Sequence, residues 1–156
     1  MRLGITGTRR GMTEAQKFRV SQFLRVLQPD ASIHGDAIGA DSEFHDLSRK
    51  LVKNPWIIIH PPTNPKYRAF KNGDFIHDPL TFLVRDDNII KDSTLMLATP
   101  FEFEEVLRSG TWATIRHTRK FDTPLIIVWP DGTCQDERLN KLKKELVRQQ
   151  QSLLDF

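Results

Sequence analysis

Three short segments of the sequence combine glycine with residue types that bind anions. They are Thr6–Gly11 (Thr-Gly-Thr-Arg-Arg-Gly), His34–Asp41 (His-Gly-Asp-Ala-Ile-Gly-Ala-Asp) and Arg108–Thr114 (Arg-Ser-Gly-Thr-Trp-Ala-Thr). Glycine lets a backbone approach a ligand closely, while guanidinium groups and the free N–H groups at helix starts bind phosphate or carboxylate. The chemistry that these segments predict is recognition of a small anionic ligand.

Phosphate is expected at the first and third segments, and a sugar at the second. Asp36 or Asp41 would accept hydrogen bonds from ribose hydroxyls. Local alternatives remain open, because Ser109 and Asp41 could cap the helices that follow and Arg9-Arg10 could be surface charge. The candidate ligand-binding residues are Gly7, Thr8, Arg9, Arg10, Gly35, Asp36, Ala37, Gly39, Ala40, Asp41, Arg108, Ser109, Gly110, Thr111 and Thr114.

Catalytic and metal-binding signals are weaker. Glu102, Glu104 and Glu105 precede the third segment and could supply a general base, with Glu104 and Glu105 as the named candidates, although an acidic loop is more often simply solvated. The five histidines show no metal-ligand spacing with Cys134 or with a carboxylate pair, so we expect no metal site. Neither a dinucleotide-binding fingerprint nor a Walker motif is present, and no cofactor is predicted.

The hydrophobic pattern alternates between strand-like and helix-like stretches, and a long proline-rich loop is predicted at 60–79. Five strands and five helices imply an α/β, Rossmann-like three-layer sandwich with a mainly parallel five-stranded sheet. Ligands of such sheets bind beyond the carboxyl ends of the strands, where the three segments lie. The predicted strands are 2–6, 32–34, 56–59, 95–98 and 125–129. Of the five predicted helices, one begins at Thr13, one begins near Ser109 or Gly110, and the other three span about 41–53, 80–91 and 136–154.

Composition limits the remaining possibilities. A chain of 156 residues with 38% hydrophobic residues predicts one domain, 1–156, with a real core. The net charge of +3 and pI of about 9.2 permit an anionic ligand. No apolar run is long enough to span a membrane, and the single Cys134 and the lack of a signal-like amino terminus indicate the cytoplasm. A homo-oligomer is plausible, since the last helix could pack its leucines (139, 142, 146 and 153) on a partner or on its own sheet.

Taken together, the three segments resemble the SLOG superfamily, the Rossmann-like group that includes the Smf/DprA DNA-processing proteins and the LONELY GUY phosphoribohydrolases. The likeness extends over nearly the whole chain. Arg85 and Asn88 resemble an Arg/Asn pair of the small single-domain branch related to YspA and YpsA. The resemblance implies binding of a nucleotide or of a nucleotide-derived ligand.

The third segment departs from the LONELY GUY motif Pro-Gly-Gly-x-Gly-Thr-x-x-Glu. Thr114 stands at the place of the glutamate, and Arg108-Ser109 replaces the preceding glycines. Hydrolysis of an N-glycosidic or phosphoester bond would therefore need a substitute such as Glu104 or Glu105. The leading hypothesis is binding of a nucleotide or of a phosphoribosyl or ADP-ribose type ligand. The alternatives are a nucleotide-processing hydrolase and a single-stranded DNA-binding module.

Overall fold

The computed structural model describes residues 1–154, except for the side chains of residues 145, 146, 149, 150 and 152–154. Strands and helices alternate over most of this length. In chain order the elements are β1 (Arg2–Gly7), α1 (Glu14–Leu27), β2 (Ala31–His34), α2 (Ala40–Leu51), β3 (Ile57–Ile59), a 3-10 turn (Pro65–Tyr67), β4 (Phe75–Ile76), α3 (Phe82–Asp92), β5 (Leu95–Thr99), α4 (Gly110–Lys120), β6 (Leu125–Val128), β7 (Cys134–Glu137) and α5 (Leu139–Leu154).

The strands form one sheet in the order β4-β3-β2-β1-β5-β6-β7. Every neighbouring pair is parallel except β6 with β7. The strand order reverses at β1, because β2 and β3 lie on one side of it while β5 and β6 lie on the other. The α/β, Rossmann-like prediction is confirmed, but the prediction of five strands is wrong because the sheet has seven.

Both additional strands lie at the edges of the sheet and lack a recognisable strand pattern, because β4 is only two residues long and β7 is polar. β4 has two exposed residues inside the predicted loop 60–79 and pairs with Ile58 and Ile59. β7 is the polar stretch Cys134–Glu137, where a helix beginning at 136 was predicted. It pairs with β6 after a turn at Gly132, whose φ of +84° suits glycine. Both strands form through pairing with a neighbour, so their own residues need no apolar alternation.

The sheet is covered on both faces, which accounts for the nearly continuous apolar strands. Buried residues of the strands divide between two core clusters, and those of β5 and β6 alternate between the two. The first lies under α1 and α2 and includes Leu3, Ile5, Val20, Leu24, Phe44, Leu97 and Val128. The second lies under α3 and α4 and includes Ile33, Ile58, Ile89, Ile90, Met96, Trp112, Ile115 and Ile127.

The two ends of the chain show how local signals place helices. α1 begins with the predicted capping box, in which Thr13 Oγ1 accepts from Gln16 N at 3.1 Å and Gln16 Oε1 accepts from Thr13 N at 3.0 Å. In α5, Leu139 and Leu142 pack against the first core cluster, while the side chains of Leu146 and Leu153 lie outside the described residues.

Within residues 1–154, no helix combines the length and the apolar character needed to cross a membrane.

Candidate functional site

A cavity of about 600 Å³ opens at the carboxyl ends of β1 and β5, where the strand order reverses. Open parallel sheets bind ligands at this position. Residues from all three glycine-containing segments reach it. The predicted site residues that line it are Gly7, Thr8, Arg9, Arg10, Ala37, Asp41, Arg85, Arg108, Ser109, Gly110, Thr111 and Thr114.

Other predicted residues do not line the cavity: Gly35, Asp36, Gly39, Ala40, Asn88, Glu104 and Glu105. Most of these belong to the second segment and support the lining from behind. Glu104 and Glu105 are exposed, and Glu105 Oε1 lies 3.7 Å from Arg116 Nη1. A general base from this pair is therefore not placed at the cavity.

The first two segments are bound to each other through Thr8. Its carbonyl accepts from Ala40 N at 3.0 Å and from Gly11 N at 3.2 Å, and its Oγ1 accepts from Arg10 N at 3.1 Å. Gly39 crosses close behind with a φ of +95°, and a Cβ there would lie 2.5 Å from the Arg9 carbonyl oxygen. The glycine is required because the two backbones approach each other so closely.

Exposed arginines from the first segment lie against aromatic rings at the cavity. The guanidinium carbon of Arg9 lies 4.5 Å from the centre of the Tyr67 ring and 5.1 Å from that of Phe82. Arg10 lies 4.2 Å from the centre of the Phe101 ring. Cation–π attraction of this kind orients a guanidinium without neutralising it. Both charges therefore remain available to an anion.

The second segment is held by buried charges. Asp41 Oδ2 accepts from Gly35 N at 3.0 Å and from Ala37 N at 3.1 Å. Arg85 donates from Nη1 to the Gly35 carbonyl, and its Nε lies 3.2 Å from Asp86 Oδ1 without the alignment of a hydrogen bond. Burial raises the pKa of Asp41 to about 6, although the nearby Arg85 charge acts to lower it. Burial also raises the pKa of Asp86.

The sequence did not reveal the structural roles of Asp36 and Asp41. Asp36 is fully buried with a φ of +58°, and it accepts from Arg68 Nε and from Lys71 N, both at 3.0 Å. It fixes the 68–71 stretch and does not face the cavity where a sugar would bind. Asp41 is not the cap of α2, since Gly39 occupies that position, but it does line the cavity.

The third segment is the start of α4. Ser109 caps the helix, with Oγ accepting from Trp112 N at 3.3 Å. Within the described chain, the N–H groups of Gly110 and Thr111 have no partner, and a Cβ on Gly110 would meet no described atom within 4 Å. Free N–H groups and the positive end of the helix dipole therefore face an open part of the cavity. Beside them stands the exposed Arg108.

Sequence reasoning missed the aromatic lining residues Phe82 and Phe101 as parts of the site. Phe82, Asp86, Phe101 and Glu102 all line the cavity, and Glu102 Oε2 accepts from Trp112 Nε1 at 3.2 Å. Phe101 comes two residues after the end of β5, so the rule that ligands bind after the strands would have found it. Phe82 and Asp86 lie on α3, and only the packing of that helix brings them here.

Comparison with known proteins shows likeness in structure but not in sequence. No protein-family model matches the chain, and no curated protein matches it. The molybdenum cofactor binding protein of the phototrophic bacterium Rippkaea orientalis has a similar structure, with a TM-score of 0.64 and 14% sequence identity. This match covers 82% of the present chain and 76% of that protein.

Two further solved structures are similar. The molybdenum cofactor carrier protein of Chlamydomonas reinhardtii has a TM-score of 0.59 and 14% identity over 81% of this chain and 74% of that one. The protein TM1055 has a TM-score of 0.57 and 10% identity over 80% of this chain and 71% of that one. At these identities the likeness shows the fold. The chain thus shares a Rossmann-like architecture with proteins of which two are named for binding a small-molecule cofactor.

Proposed function

We propose that this protein binds a nucleotide, or a nucleotide-derived ligand of phosphoribosyl or ADP-ribose type, in the cavity at the carboxyl ends of β1 and β5. The observation that carries the proposal is the convergence of four arginines and the amino end of α4 on one cavity of about 600 Å³. A nucleotide presents the matching chemistry, because it combines a phosphate with a flat aromatic base.

The charges at the cavity favour an anion. The lining has four arginines against three carboxylates, Asp41, Asp86 and Glu102. Arg85 is buried beside Asp86 and lowers the pKa of Asp41, so it is occupied within the protein. The three exposed arginines, Arg9, Arg10 and Arg108, are left for a ligand.

The parts of such a ligand have distinct places in this proposal. The free N–H groups of Gly110 and Thr111, with Arg108 nearby, would hold a phosphate. The rings of Phe82 and Phe101 would contact the base. Asp41 is the carboxylate of the second segment that would accept from a sugar hydroxyl, since Asp36 does not line the cavity.

Two likenesses support this proposal. The resemblance of the three segments to the SLOG superfamily implies a nucleotide-type ligand. Two of the similar structures are named as molybdenum cofactor proteins, which supports binding of a small molecule in this fold. The molybdenum cofactor therefore joins the nucleotides among the ligands to be tested.

Thermal unfolding with a ligand panel tests the proposal. Nucleoside mono-, di- and triphosphates, ADP-ribose, NAD and the molybdenum cofactor are each added to the full chain. A true ligand at a hundredfold excess over its Kd stabilises the protein by about 2.7 kcal/mol. The double variant Arg9→Ala/Thr111→Ala should lose this stabilisation, whereas the control Arg25→Ala/Thr63→Ala, at exposed positions outside the cavity lining, should keep it. No shift with any member of the panel would contradict the proposal.

The hydrolase alternative needs a carboxylate at the cavity. Asp86 is the better candidate than Glu104 or Glu105, because it lines the cavity and burial raises its pKa. Its Oδ2 accepts from Thr114 Oγ1 at 3.2 Å. Release of base or phosphate from a bound nucleotide, abolished by Asp86→Asn but not by Glu104→Gln/Glu105→Gln, would establish this activity. Binding without turnover would leave the protein a carrier or sensor.

Nucleic-acid binding and self-association stay predictions. Affinity for single-stranded DNA would fall steeply as salt rises, whereas affinity for one nucleotide in the cavity would fall far less. Sedimentation analysis would show whether the chain associates through α5. The cytoplasmic location expected from the sequence also stays a prediction.

A further inference from the structure

A second group of side chains lies apart from the cavity and could bind a metal ion. His60 follows β3, His77 follows β4 and Asp92 ends α3. None of the three lines the cavity at β1 and β5. The sequence shows no metal-ligand spacing here, since His60 and Asp92 are 32 residues apart. Only the pairing of β3 with β4 and the packing of α3 bring them together.

The potential ligand atoms of the three residues lie close together. His60 Nε2 lies 2.7 Å from Asp92 Oδ2, and His77 Nε2 lies 3.9 Å from the same oxygen. One ligand atom from each residue lies within 4.8 Å of the others. Donors on a tetrahedral zinc ion lie about 3.3 Å apart, given bonds of about 2.0 Å. The two measured distances lie on either side of that value.

We propose that His60, His77 and Asp92 form a binding site for a divalent transition-metal ion, with Zn²⁺ as the ion that fits it best. Two imidazole nitrogens and one carboxylate oxygen suit zinc and its neighbours in the first transition row, whereas calcium and magnesium require oxygen ligands. Three protein ligands leave a fourth position for water. The site does not rest on the proposed nucleotide function.

The backbone and the surrounding side chains fix this arrangement. His60 N donates to the His34 carbonyl and His77 N donates to the Ile59 carbonyl, both at 2.9 Å, so the sheet holds both histidines. Asp92 turns Oδ1 towards Arg2 Nη1, at 3.9 Å, and Oδ2 towards the imidazoles. An outer partner on the second oxygen is typical of metal-binding carboxylates.

If His60 and Asp92 formed only a hydrogen-bonded pair, that pair would not need His77 beside it. The two imidazole rings are stacked, with centres 4.0 Å apart and planes 9° from parallel. Because parallel rings cannot both direct a nitrogen lone pair at one ion, one ring must turn on binding. His77 is the ring with room to turn, since it is 40% exposed whereas His60 is 4% exposed. Its exposure also gives the ion a path to the site.

Calorimetry on the metal-stripped full chain tests the site, with Zn²⁺ as titrant. We expect one equivalent to bind with a Kd in the micromolar range or tighter. Co²⁺ should add the visible absorption bands of a low-symmetry site with mixed nitrogen and oxygen ligands. His77→Ala and Asp92→Asn should each weaken Zn²⁺ binding at least about tenfold.

Two variants separate coordination from folding. His77→Phe keeps an aromatic ring against His60 but removes the nitrogen, so it should fold like the wild type and still lose Zn²⁺. His117→Ala removes a histidine whose Nδ1 lies 2.6 Å from Asp87 Oδ1, and it should bind Zn²⁺ like the wild type. Absence of micromolar binding in the wild type would overturn the proposal. So would binding that survives in His77→Phe or that is lost in His117→Ala.

Discussion

Two walls of the cavity differ in how far their polar groups are already used. The β2 wall consists of the second segment, His34–Asp41, with Arg85, and the β5 wall consists of the third segment, Arg108–Thr114. In the β2 wall, Asp41 accepts two backbone N–H groups and Arg85 donates to the Gly35 carbonyl. In the β5 wall, the first two N–H groups of α4 have no partner among the described residues.

This difference shows that two segments with similar sequence motifs can have different roles, one in supporting the fold and one in binding a ligand. Both walls carry glycine, a potential capping residue and charge at the start of a helix. The β2 wall uses most of its polar groups within the protein, so it is mainly a rigid support. The β5 wall leaves donors exposed to the cavity, which is the condition for binding an anion. Substitutions should therefore affect mainly stability in the first wall and mainly ligand binding in the second.

The largest effect should follow from Arg85→Ala. Removing this buried guanidinium leaves the carboxylates of Asp41 and Asp86 without their positive neighbour, and we expect a loss of about 3 kcal/mol in the free energy of unfolding at neutral pH. Chemical denaturation measures it. Arg108→Ala, on the other wall, should change stability by less than about 0.5 kcal/mol because its side chain is exposed. Equal losses in the two variants would remove the distinction between the walls.

A pair of glycine substitutions gives the next largest contrast. Gly39→Ala requires a φ of +95° and places a Cβ 2.5 Å from the Arg9 carbonyl oxygen, so it should cost about 2 kcal/mol or more. Gly110→Ala meets no described atom within 4 Å and should stabilise the helix by about 0.5 kcal/mol. Thermal unfolding of both variants checks the signs. A destabilised Gly110→Ala would show that the β5 wall is not open.

The pH dependence of stability should isolate Asp41. Its pKa is raised to about 6 in the folded protein from an ordinary value of 3.8, so between these values the folded state binds more protons than the unfolded state. The Asp41 contribution to stability therefore falls as pH rises from about 4 to 6, by up to about 1.4 kcal/mol per pH unit. Asp41→Asn keeps an oxygen for both N–H groups and lacks this titration. Its stability relative to the wild type should rise from pH 4 to pH 7, and a constant difference would contradict the assignment.

The smallest effect on stability should come from Ser109→Asp. Aspartate caps helices as well as serine does, so the free energy of unfolding should change by less than about 0.5 kcal/mol. The new carboxylate stands where the phosphate is proposed to bind, and ligand affinity should fall at least about tenfold. Ser109→Asn keeps the cap without the charge and is the control. Affinity unaffected by the aspartate would place the phosphate elsewhere.

Local signals in the sequence were sufficient to predict many of the helices and strands. The capping box at Thr13 and the apolar strands depend on residues a few positions apart, so their pattern was visible without a structure. The β4 and β7 strands were not visible, because each consists mostly of exposed residues that form a strand only through pairing with a neighbour. The same reason explains why the predicted loop 60–79 contains a strand.

The candidate site shows the same distinction between features that follow from the order of the elements and features that depend on contacts between distant residues. The rule that ligands bind after the strands placed Arg9 and Thr111 in the cavity, since it follows from the order of the elements. The rule could not show that Asp36 binds Arg68 and Lys71, because those contacts join residues more than 30 positions apart. Phe82 on α3 lines the cavity only because that helix packs across the sheet.

By itself the sequence determined the order of most strands and helices, and with it the end of the sheet at which the glycine-containing segments meet. Periodicity and capping act over one or two turns of chain, and such short-range signals can be found in a single sequence. The tertiary structure alone decided which polar groups are used up within the protein and which remain free, and it alone assembled His60, His77 and Asp92. Those outcomes depend on contacts between distant residues, and no local pattern records them.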